Sequence, residues 1–68
     1  MEMPRKSAAE LEVECLRLLA MDPHTRGIKR VEIIRRTYGA LDPMPTRAGL
    51  AIAQTLIASV YGRWALAD

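Results

Sequence analysis

The chain has 68 residues, 50% of them hydrophobic and 26% charged, a composition that fits one globular domain and argues against disorder. A chain this short buries only roughly 60% of the surface that its unfolded form exposes, so a spacious active site would weaken an already small core. The formal charge of +2 is modest, and a lone cysteine, Cys15, excludes an intrachain disulfide and the usual Cys-based zinc site within one chain.

The charge is unevenly spread. Residues 1–24 carry Arg5, Lys6 and Arg17 against Glu2, Glu10, Glu12, Glu14 and Asp22, a balance of −2. Residues 25–68 carry Arg26, Lys29, Arg30, Arg35, Arg36, Arg47 and Arg63 against Glu32, Asp42 and Asp68, a balance of +4. The surplus on the second part suits an acidic partner, either nucleic acid or protein.

Residues 1–6 read as a flexible polar arm in which Pro4 discourages helix. Ser7 and Glu10 then stand at capping-box spacing, which predicts a first helix over about 7–21 that stops at Asp22-Pro23. Leu11, Cys15, Leu18 and Leu19 form its apolar arc, widened by Leu16, Ala20 and Val13. Glu12 falls between Leu16 and Leu19, where a carboxylate needs a partner.

A second helix is expected over about 26–38, with Thr25 as its cap and Gly39 at its left-handed end. Its wheel places Ile28, Val31, Ile34 and Tyr38 inward, with Arg35 among them. Arg26, Lys29, Arg30 and Arg36 lie opposite, with Ile33 at their centre. Glu12 and Arg35 are charges of opposite sign on apolar faces, so they are expected to pair across the two helices and fix their register. The alternative is that both reach water along their aliphatic stems.

The stretch ALDPMPT reads as a rigid linker, too long and proline-rich for a standard helix-turn-helix. Thr46 then caps a third helix over about 46–66, whose broad apolar arc includes Leu50, Ile57 and Trp64. The far side carries Ala51, Thr55, Ala58, Ser59 and Gly62, small residues that allow another helix to approach closely, as in a homodimer, or that simply face solvent. Asp-Pro, Thr-Arg, a small gap and Tyr-Gly recur in residues 22–39 and 42–62, which we read as shared helix punctuation.

Together these signals predict an all-α domain of three helices over residues 1–68, packed around Leu11, Leu18, Leu19, Val31, Ile34, Leu50, Ile57 and Trp64. Catalysis is not expected: one His, one Cys and no Gly-rich phosphate loop supply neither nucleophile, base nor metal set. His24 reads as an exposed turn residue and Cys15 as a buried structural thiol. No cofactor or metal is implied. The start lacks the apolar run of a signal peptide, and no stretch reaches the about 20 apolar residues of a membrane span, so a soluble cytoplasmic protein is expected.

The candidate partner site is Arg26, Lys29, Arg30, Ile33 and Arg36, extended by Arg47 and Arg63. An isoleucine ringed by cations suits docking on the acidic surface of a protein or nucleoprotein complex better than a purely solvated face does. The expected function is a small regulatory or inhibitory protein; an accessory protein of a phage or mobile element that blocks a nucleic-acid-guided defence complex fits the size. The alternative is a small DNA-binding transcriptional regulator with the second helix on DNA.

Overall fold

A computed structural model describes residues 4–34 and 37–67. In chain order the elements are β1 (Arg5–Lys6), α1 (Ala8–Leu19), β2 (Arg30–Ile34), β3 (Thr37–Asp42), α2 (Arg47–Tyr61) and β4 (Ala65–Leu66). The fold is therefore mixed, with two helices and two small sheets, and the expectation of an all-α three-helix bundle is overturned. β2 and β3 pair antiparallel, while β1 and β4 pair in parallel and bring the two ends of the chain together.

The first helix forms where local chemistry demands it. The Ser7 hydroxyl accepts from the Glu10 amide (3.2 Å) and the Glu10 carboxylate accepts from the Ser7 amide (2.9 Å), which satisfies two donors that the first turn leaves open. Leu11, Cys15 and Leu19, four residues apart, form its buried stripe. Beyond Leu19 the chain does not start another helix. Thr25 is fully buried, and its hydroxyl donates back to the Leu19 carbonyl (2.6 Å), so it fastens the turn to the end of α1 where a helix cap was expected.

The expected helix over 26–38 is replaced by a hairpin. Val31, Ile33, Ile34 and Thr37 are β-branched and crowd a helical turn, whereas a pleated strand accommodates them. The change of period exchanges two neighbours. Val31 and Ile33 face the core, the former 2% exposed and the latter half-buried, while Ile34 stands outside at 44% exposure. Ile33 thus packs against the core and is not the outward centre of a cationic face, and Ile34 is not a core residue. Gly39 lies within β3, where Gly39 and Ala40 together oppose Glu32 in a bulge, and it caps no helix.

Residues 40–42 of the expected linker belong to β3, and the chain turns at a cis Asp42–Pro43 bond. Thr46 caps α2 as its sequence suggests, its hydroxyl accepting from the Gly49 amide (3.2 Å). The helix ends at Tyr61 instead of near Leu66. Gly62 weakens further helix, and the β1 backbone offers another set of partners: the Ala65 amide donates to the Pro4 carbonyl (2.9 Å) and the Ala67 amide to the Lys6 carbonyl (2.8 Å).

The core joins Leu11, Cys15 and Leu19 of α1 to Ala53, Ile57 and Val60 of α2, with Ile28, Val31 and Leu41 closing it from the hairpin side. Leu18, Leu50 and Trp64 pack around it half-buried. No helix is long and apolar enough to cross a membrane among the described residues.

This connectivity gives the molecule, 36 × 18 × 16 Å across, two distinct ends. α1 leaves the β1–β4 clasp and delivers the chain to the turn of residues 20–28; α2 starts beside that turn and returns to the clasp. Gly49 makes the junction at the first end so tight that a Cβ there would lie 2.6 Å from the His24 carbonyl oxygen.

Candidate docking surfaces

The hairpin separates the cations that a helix would have aligned. At the loop end, Pro23, Arg26, Ile28, Met44, Pro45 and Thr46 line an open hollow of about 350 Å³. Arg26 stands in its wall, and exposed Lys29 and Arg47 follow directly on the lining residues Ile28 and Thr46. Lys29 is positioned by its own amide, which donates to the Asp42 carbonyl (2.8 Å) beside Pro43. Met44 is 69% exposed, so the lining of the hollow includes an apolar side chain in contact with water. Among the described residues, no ion pair engages Arg26, Lys29 or Arg47.

Arg30 is different in kind. Its Nε donates to Glu12 Oε2 (3.0 Å), and the same oxygen accepts from the Val31 amide (2.8 Å). These bonds hold the Glu12 carboxyl below its ordinary pKa, the Val31 amide contributing most. Glu12 therefore has the partner that its place on α1 called for, and it fastens α1 to the edge of β2. Arg35, the partner proposed from the sequence, and Arg36 lie outside the described residues.

Arg63 is remote from the loop end. It follows α2 and precedes β4, and so joins Arg5 and Lys6 at the clasp. There the Lys6 ammonium sits 4.9 Å from the centroid of the Trp64 ring. This second cationic group was missed because it depends on the pairing of β1 with β4, which brings residues 5–6 beside 63–66.

The remaining candidates are quickly placed. Ala51, Thr55, Ala58 and Ser59 are exposed on α2 and Gly62 is exposed just past its end, and Ala58 and Gly62 border a groove shared with Tyr38 and Gly39 of β3. The Tyr61 hydroxyl donates to the Ile34 carbonyl (3.0 Å) and ties the end of α2 to the far end of β2. Burial pushes the Cys15 thiol up to about 11, as expected of a structural residue. His24 is exposed in the turn, its amide bonded to Asp22 Oδ1 (2.8 Å). No group of His, Cys, Asp and Glu suited to a metal ion occurs among the described residues.

Compared with protein-family models, curated proteins and solved structures, the chain shows no match.

Proposed function

We propose that the protein is a non-enzymatic cytoplasmic binding protein whose loop end docks on an acidic surface of a larger protein or nucleoprotein complex, and that it regulates or inhibits that partner by occupying the surface. The observation that carries this reading is the exposed Met44 in a hollow flanked by Arg26, Lys29 and Arg47. Interfaces draw their energy from a few anchors set in a desolvating surround, and cations around an apolar anchor select a partner with carboxylates around an apolar protrusion. The same size and surface suit an anti-defence inhibitor from a phage or mobile element.

A synthetic peptide with a central leucine flanked by glutamate and aspartate tests the site by amide-resolved NMR titration. Shifts should concentrate at residues 26–29 and 44–47, and Met44→Asp should abolish them while the rest of the spectrum stays folded. Binding that maps elsewhere, or that Met44→Asp leaves unchanged, would refute the loop end as the docking site.

A further inference from the structure

The loop-end hollow has a counterpart of opposite charge directly beside it. Glu12, Arg30, Val31, Glu32, Ala40 and Asp42 line a second hollow, of about 230 Å³. Its three carboxylates and one guanidinium give a balance of −2. Glu32, Ala40 and Asp42 are exposed, and Glu12 is held in place by Arg30 and the Val31 amide. Val31 and Ala40 give this hollow an apolar share, so it presents carboxylates around apolar atoms, the kind of surface to which the loop end is matched.

The hairpin sets the two hollows side by side. Pro43 lines the cationic one and Asp42 the anionic one; on the other chain segment Ile28 lines the first and Arg30 the second, with Lys29 between them. Arg30 is in register with Asp42, and the Lys29 amide donates to the Asp42 carbonyl (2.8 Å), so the seam between the hollows runs across the open end of the hairpin. A patch with a cationic half and an anionic half is self-complementary. Turned by half a revolution about the seam, a second copy sets Arg26, Lys29 and Arg47 against Glu32 and Asp42 of the first, and the reverse contact forms at the same time. Met44, exposed and unbranched, adapts to the apolar part of the facing hollow.

We propose that this patch is a homodimer interface, in which the loop-end hollow of each protomer seats on the hollow of Glu12, Glu32 and Asp42 in the other. The inference rests on the reading of the loop end as a docking surface for acidic groups and adds its regulation: the dimer covers the site, and an acidic partner competes with the second copy. The contacts are between exposed charges and the patch is small, so the dimer is weak, salt-sensitive and outnumbered by monomer in dilute solution.

The test is sedimentation equilibrium of the full chain, from dilute to concentrated protein, at low and at high salt. A monomer–dimer equilibrium that weakens with salt is expected. The double variants Glu32→Lys/Asp42→Lys and Lys29→Glu/Arg47→Glu should each weaken the dimer at least about tenfold, and an equimolar mixture of the two should restore it, because opposite charges then face each other again. Peptide binding is read separately on Glu32→Lys/Asp42→Lys: if the acidic peptide leaves residues 26–29 and 44–47 unshifted there while the wild-type chain still dimerises, the external partner is refuted and the dimer is not. The dimer is overturned if the chain stays monomeric at low salt, if it grows beyond dimers, or if either charge-reversed variant dimerises as well as the wild type.

Discussion

At the loop end, Arg26 lines a hollow with an exposed Met44 in its wall and Lys29 and Arg47 adjoin the lining, whereas at the clasp Arg5, Lys6 and Arg63 lie near Trp64 and Leu66, which are already packed. Both ends carry cations, and α2 separates them by about 22 Å at 1.5 Å per residue. Their difference lies in the apolar component. An unburied apolar side chain among cations suits a surface to a protein partner. Counting Lys and Arg along the chain cannot draw this distinction, because the clasp group comes from the two sides of the loop-end group and meets only when β1 pairs with β4.

The strongest way to break the comparison is to damage one end. Gly49→Ala forces a Cβ against the His24 carbonyl, a backbone atom that a side-chain rotation cannot move away. It should destabilise the fold by about 1–3 kcal/mol in urea denaturation and weaken the acidic peptide's binding. Thr25→Val removes the buried hydroxyl bond to the Leu19 carbonyl and keeps the shape; a loss of about 1.5 kcal/mol is expected, with amide exchange accelerating first in residues 20–28.

The clasp side is probed by smaller changes. Ser7→Ala breaks the capping box at the start of α1 and should cost about 1 kcal/mol, read as fraying of residues 8–11 by hydrogen exchange. The carboxyls of Glu10 and Glu12 are both held below the ordinary carboxylate value of 4.5, mainly by the amides of Ser7 and Val31. Their contribution is therefore fully present above pH 4.5 and declines as the pH falls through the lower native values. A denaturation series should show stability dropping in acid, and Glu12→Gln should flatten part of that drop. Lys6→Met removes the charge over Trp64 and should cost only about 0.5 kcal/mol while changing the Trp64 fluorescence.

The sequence revealed features that are local. Ser7 with Glu10 and Thr46 with Gly49 mark helix starts because each cap is completed within three residues. Leu11, Leu19, Val31 and Ile57 were recognisable as core because they lie on an apolar face in whichever element holds them. Residues 26–38 were misread because Ile28, Val31 and Ile34 also fit helical spacing; the density of Val31, Ile33, Ile34 and Thr37 was the contrary signal. Once the period became two, Ile33 turned inward and Ile34 outward. Of the candidate site, Arg26, Lys29 and Arg47 come together at the loop end, Arg30 is bound to Glu12, and Arg63 departs to the clasp. A two-residue strand such as β4 has no periodicity to read, and only its partner β1 defines it.

Amide-resolved NMR with the unlabelled acidic peptide added stepwise to the labelled protein tests the separation of the two ends most directly. Shifts confined to residues 26–29 and 44–47, with residues 5–7 and 63–67 unmoved, are the expected result. Shifts centred on residues 5–7 and 63–67 would contradict it and move the docking site to the clasp.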